Sequence, residues 1–148
     1  KRYGRMFSML MFDIDHFGAV NGNYGYIAGN RILRGVANII RTITRSTDLI
    51  ARYGGVKFAV ILGRSGACAA AQRILAAISG YTFGVEHRQA LTVTVSIGLA
   101  GFPDDANSGE RLIVAADLAL YDAKRAGRNC VRSFDPEQSM ENRQLSES

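Results

Sequence analysis

The stretch Asp48-Leu-Ile-Ala-Arg52-Tyr53-Gly54-Gly55-Val56-Lys57-Phe58-Ala-Val-Ile-Leu62 decides the fold. Two short runs, Asp48–Arg52 and Lys57–Leu62, flank a pair of glycines. Glycine reaches positive φ without a Cβ clash, so a glycine pair between two such runs predicts a hairpin of adjacent strands. Upstream, Phe7–Ile14 (FSMLMFDI) is apolar, short and bounded by charge, which predicts a buried strand. Downstream, Leu91–Ala100 (LTVTVSIGLA) alternates β-branched and small residues and predicts the strongest strand of the chain. Val131–Phe134 reads as a last edge strand.

Helical periodicity fills the gaps. From Ala28 to about Thr44, Ile32, Val36, Ile39, Ile40 and Ile43 recur on one face. Ala67–Ser79 is alanine-rich, with Ile74, Leu75 and Ile78 on one side. Asn107 followed by Glu110 predicts a helix start, and the helix runs to about Ala126 and stops at Gly127. Its inward residues are Leu112, Ala116, Ala119, Leu120 and Ala123. Asp15–Gly29 carries Gly18, Gly22, Gly25 and Gly29 and is expected to begin as a loop. No internal repeat is visible. The order β-α-β-β-α-β-α-β predicts an α/β or α+β sandwich with one central sheet. Residues 1–134 make the domain, and the polar stretch 135–148 reads as a tail or linker.

Composition bounds the function. The chain has 148 residues, 47% hydrophobic and 21% charged, enough apolar content to bury a core. No apolar run approaches the roughly 20 residues a bilayer needs. The net charge of +5 favours an anionic partner. Its arginines (Arg31, Arg34, Arg41, Arg45, Arg52, Arg64, Arg73) are scattered, unlike the basic run of a nucleic-acid reader. Phosphate-bearing small molecules fit this pattern. Cys68 and Cys130 are not in metal-ligand spacing and read as reduced, half-buried thiols of a cytoplasmic protein. His16 and His87 form no metal constellation.

Asp13 and Asp15 end the first strand, ahead of a glycine-rich stretch and a helix. Carboxylates there suit Mg²⁺ and a helix N-terminus suits phosphate, although aspartate is also a common turn former. The hairpin stretch with Arg45-Ser-Thr-Asp48 before it resembles the signature turn of the GGDEF family, the diguanylate cyclases of bacteria. Phe12-Asp13-Ile14-Asp15-His16-Phe17 resembles the family's first metal-binding strand end. Asn21 to Gly29 resembles its guanine loop, and Thr94-Val-Ser96-Ile-Gly98 its central strand. Ala116-Asp117 through Tyr121 and Lys124 to Gly127-Arg128-Asn129 resembles its last helix and phosphate-binding end.

The resemblance implies a nucleotidyl cyclase-like α+β fold with a central five-stranded, mostly antiparallel sheet flanked by helices. It implies a symmetric dimer in which active members join two GTP molecules into cyclic di-GMP. It further implies two acidic groups that hold a divalent metal, one matched by Asp13 and one at the third signature letter. A second acidic residue belongs at the fourth. This sequence departs there, with Val56 and Lys57. An isopropyl group offers no metal ligand and an ammonium reverses the charge, so catalysis is not expected. Mg²⁺ enters only if GTP binds. Alternation places Val56 and Lys57 on opposite strand faces, so Lys57 need not point where the metal would sit.

The guanine positions are Asn21 and Asn30, the latter where the family carries aspartate; an amide presents an unwanted donor to the guanine edge. Lys124 and Arg128, four apart, match the triphosphate clamp, or equally an exposed basic helix end that complements the helix dipole. Arg45 and Asp48 match the family's inhibitory R-x-x-D site, where an arginine fork and a carboxylate hold cyclic di-GMP. Arg73 is a candidate second arginine. Four readings follow. One is an inactive regulatory module that binds cyclic di-GMP. The others are a GTP-binding allosteric domain, a dimerisation module, and a weakly active cyclase. The family's preceding helix is not in this sequence, so the chain reads as part of a longer protein with an attached sensory or EAL-type domain.

Overall fold

The computed structural model describes residues 6–53, 56–63, 66–84 and 90–147. Gly54, Gly55, Arg64 and His87 lie outside the described residues. Strand β1 (Phe7–Ile14) runs antiparallel to β3 (Lys57–Leu62) on one side and to β6 (Val95–Phe102) on the other. Strand β2 (Leu49–Tyr53) pairs antiparallel with β3, and the short β7 (Val131–Ser133) pairs parallel with β6. The sheet order is β2-β3-β1-β6-β7, the five-stranded, mostly antiparallel sheet that the resemblance implies. Strands β4 (Phe83–Gly84) and β5 (Ala90–Leu91) form a small separate ribbon.

Strand alternation divides the core in two. Leu10, Phe12, Ile14, Phe58, Val60, Val95 and Ile97 point to one face, under helices α1 (Phe17–Ile43) and α2 (Ala67–Ser79). Met9, Met11 and Ala100 point to the other, under α3 (Gly109–Arg125) through Leu112, Ala116 and Leu120. Helix α3 lies close on β6. A Cβ added at Gly98 would come within 2.3 Å of the Ala116 carbonyl oxygen and 2.7 Å of the Ala119 carbonyl carbon. Among the described residues no helix is long and apolar enough to cross a membrane.

Four expectations need correction. The glycine-rich stretch after Asp15 is mostly helix, because Phe17 and Val20 pack on the core and outweigh the roughly 1 kcal/mol that each interior glycine costs. Only Gly25 leaves helical geometry (φ 88°, ψ 166°), kinking α1. Strand β6 starts at Val95 rather than Leu91, because Leu91 pairs with Phe83 in the separate ribbon. The cap of α3 is Ser108, not Asn107; its hydroxyl accepts from Arg111 N–H at 3.2 Å. Cys68 is exposed rather than half-buried, while Cys130 is partly buried with its Sγ 3.4 Å from the Ala123 carbonyl oxygen.

The stretch 135–148 also carries structure. Helix α4 (Pro136–Glu147) starts with proline in its first turn, where the missing N–H costs nothing. Asp135 Oδ1 accepts from Glu137 N–H at 3.0 Å. Buried Ser139 donates its hydroxyl to Asp122 Oδ2 at 2.6 Å and ties α4 to α3.

Gly98→Ala should lose about 1–3 kcal/mol of stability in urea denaturation, since α3 must move off the sheet. Ser139→Ala should lower global stability by about 1 kcal/mol and speed amide exchange within α4. Unchanged exchange in α4 would mean that this hydrogen bond does not hold the helix.

Candidate functional site

Asp13 ends β1 on the α3 side, in phase with Met9 and Met11. Lys57 is its ladder partner on β3 and Ser96 its ladder partner on β6. Lys57 therefore shares the face of Asp13. Helix α3 brings two charged side chains to this edge, seven residues apart and so on one face. Lys124 Nζ donates to Asp13 Oδ2 at 2.8 Å. Lys57 Nζ donates to Asp117 Oδ1 at 2.9 Å. Two crossed ion pairs thus bind α3 to the ends of β1 and β3. The four side chains range from 15% exposed at Asp13 to 43% at Asp117, so ligands can reach them.

Asp15 has a different task. It is buried, and its carboxylate accepts from Thr94 Oγ1 at 2.6 Å, Ser96 Oγ at 2.6 Å and Asn129 N–H at 3.1 Å. With three donors already seated, it locks β1, β6 and the segment after α3 together. His16 follows in left-handed geometry (φ 58°) and starts α1 without capping it.

Lys124 and Arg128 do not share a helix face as expected. Helix α3 ends at Arg125, and Gly127, Arg128 and Asn129 all take positive φ (112°, 66° and 50°). Arg128 is exposed on this left-handed turn. Val56 is 43% exposed in the turn before β3. At Asp13, Val56 and Lys57 the structure thus presents one carboxylate carrying an ammonium, an alkyl group and a second ammonium. Among the described residues no three His, Cys, Asp or Glu side chains converge.

Asn21 and Asn30 sit on opposite sides of the Gly25 kink. Asn21 packs against Gly29, where a Cβ would collide with its Oδ1. That oxygen is buried and without a hydrogen-bond partner. Asn30 is exposed.

Arg45 and Asp48 lie at the other end of the hairpin from Lys57, roughly 17 Å away at 3.4 Å per strand residue. Asp48 is 8% exposed. Its Oδ2 accepts from Arg45 N–H at 2.9 Å, and its own N–H donates to the Arg45 carbonyl at 2.9 Å. Asp48 fixes the turn, and the Arg45 side chain is exposed on it. Arg73 lies on the exposed side of α2. Arg52 lies 6.0 Å over the Phe58 ring. Sequence reasoning missed the role of Asp117. Its spacing of seven from Lys124 was the available signal.

The family profile described as "Diguanylate cyclase, GGDEF domain" matches residues 1–130. Diguanylate cyclase A of Treponema denticola is 40% identical over 127 residues, 84% of this chain and 34% of that protein. The chain spans about a third of the length of such curated relatives. An EAL/GGDEF domain protein from M. capsulatus superposes with a TM-score of 0.83 at 37% identity, covering 92% of this chain and 89% of that one. The GGDEF domain of DgcB from Caulobacter crescentus, solved in complex with c-di-GMP, gives a TM-score of 0.83 at 31% identity over 88% of this chain and 79% of that one. The profile match across residues 1–130, together with these similarities, shows that the chain belongs to the GGDEF domain family.

Proposed function

We propose that this GGDEF domain makes no cyclic di-GMP and serves as a regulatory module that binds it at the Arg45–Asp48 turn. The observation that carries the first half is the Asp13–Lys124 ion pair with Lys57 opposite. The donor set does not fit a divalent metal. The side chain at position 56 has no oxygen, position 57 is a cation, and the one carboxylate already carries an ammonium. Mg²⁺ requires near-octahedral oxygen ligation and would have to displace Lys124 while facing Lys57. Without the metal, a 3′-hydroxyl meets a fully charged α-phosphate, and the several kcal/mol that a Lewis acid contributes are missing. Each 1.4 kcal/mol is about tenfold in rate.

The second half rests on the exposed Arg45 guanidinium, presented on a turn that Asp48 holds rigid. A planar fork recognises phosphate or the N7/O6 edge of guanine with two parallel hydrogen bonds. Asp48 acts mainly by holding that turn, since its carboxylate is nearly closed to solvent. The c-di-GMP complex of the similar DgcB domain agrees with this ligand class. In this reading the domain works as a homodimer, attached to a sensory or EAL-type domain.

A second reading is favoured by Asn21. In this reading its oxygen, buried and unpartnered in the free chain, would turn out to accept from a guanine base, with Asn30 and the Lys124–Arg128 end completing a GTP site. That reading makes the domain a GTP sensor without turnover.

Incubation with GTP and Mg²⁺ or Mn²⁺ should give no cyclic di-GMP by chromatography. Robust product would overturn the inactive reading. In calorimetry, cyclic di-GMP should bind and Arg45→Ala should weaken it at least about tenfold. Binding that survives Arg45→Ala unchanged would place the ligand elsewhere.

A further inference from the structure

We infer that the outer face of α1 is a docking surface for an anionic lipid membrane, with the helix lying along the headgroups.

The arginines are scattered in the sequence, but the fold gathers them. Ile27, Arg31, Arg34, Asn38, Arg41 and Arg45 follow one another at alternating steps of four and three residues. That spacing sets them in one row along a helix, with Arg45 just past its end. All six are exposed, while Ile32, Val36 and Ile40 on the other side of α1 are fully buried. From Ile27 to Arg41 the row is about 21 Å long at 1.5 Å per residue.

This charge has no counterpart on the described part of its layer. Asp48 is the single acidic residue between His16 and Gly84, and it is nearly closed to solvent. Arg31, Arg34, Arg41 and Arg45 enter no ion pair among the described residues. Arg41 only donates to the neutral Asn38 amide oxygen, at 2.9 Å. Arg73, on the exposed side of the neighbouring α2, adds to the same face. Glu110, Asp117 and Asp122 lie on α3, across the sheet. Unmatched guanidinium groups on one side give that side a positive potential and an affinity for phosphate.

Phospholipids and nucleic acids both offer phosphate, and the apolar end of the row decides between them. Tyr26 is 78% and Ile27 62% exposed, about one turn before Arg31. A phenol ring and an alkyl group beside a cationic row suit the boundary between headgroups and acyl chains, where both are buried while the guanidinium groups reach phosphate. Bases instead stack on aromatic side chains set along a cationic groove. No aromatic residue stands between Arg31 and Arg45. A straight row on a convex helix also meets a flat sheet of mobile headgroups along its whole length, and clusters of basic residues on such a helix bind anionic lipid.

The test is co-sedimentation of the intact chain with vesicles of phosphatidylcholine alone and of phosphatidylcholine mixed with phosphatidylglycerol. The chain should bind only the mixed vesicles, and binding should fall as salt rises. The triple variant Arg31→Gln, Arg34→Gln, Arg41→Gln should lose on the order of a hundredfold in affinity. Tyr26→Ser with Ile27→Ser should weaken binding several-fold and leave its salt dependence in place. Arg111→Gln, Arg125→Gln, Arg132→Gln removes the same charge elsewhere on the domain and should stay within a few-fold of the parent. These positions are all exposed, and circular dichroism melting checks that each variant is folded. Arg45 is kept throughout, so cyclic di-GMP binding tests the Arg45–Asp48 reading separately. Equal loss in the two triple variants would reduce the effect to net charge and overturn the inference. So would a failure to bind the mixed vesicles. An oligonucleotide that binds in fluorescence anisotropy while the vesicles do not would assign the face to nucleic acid instead.

Discussion

The buried carboxylate of Asp15 is the constraint on which the rest of the site depends. A charged group that deep in the fold is tolerated only when its lone pairs are taken up. Here two hydroxyls from the run into β6 and one backbone N–H from beyond α3 take them. Each such bond to a charged group contributes about 1.5–3 kcal/mol. The effect is geometric as well as energetic. The end of β1, the start of β6 and the exit of α3 are pinned to one point, and Asp13, two residues earlier, is thereby set beside Lys124. The close approach of α3 at Gly98 continues the same docking along the helix.

Much of this was legible in the chain. The strand Phe7–Ile14, the hairpin strands, the alanine-rich α2 and the inward face of α3 follow from local periodicity, and the structure places them within a residue or two. What escaped depends on tertiary partners. Four glycines in fifteen residues argue for a loop until Phe17 and Val20 find the core. The β-rich run from Leu91 reads as one strand until Leu91 pairs with Phe83 in the separate ribbon. A polar C-terminal stretch reads as a tail until Ser139 meets Asp122. In that last case the signal existed: Asp135-Pro136-Glu137 is a helix start, and its low hydrophobicity concealed it.

The site was legible residue by residue but not as an arrangement. Asp13, Lys57, Lys124 and Arg128 could each be named from motif matches. No motif says that a lysine in the hairpin sits across a ladder from Asp13, or that its ammonium turns to an aspartate sixty residues away on α3. Pairings of that sequence separation are set by strand register and helix docking, which local pattern does not encode.

The two ion pairs also explain why one substitution does not stand alone. A lysine at position 57 with no carboxylate in reach would be an uncompensated charge in a partly buried edge. With Asp117 in reach on α3 the ammonium has an acceptor, and with Lys124 on Asp13 the carboxylate has a donor. The site is electrostatically complete as the chain stands, with no metal needed to hold it. Restoring an acidic residue at 57 alone would therefore do more than return a lost group. It would face Asp117 and Asp13 with like charge and leave only Lys124 to balance three carboxylates. Assembling a set of metal ligands at this edge would need changes on the hairpin and the helix together.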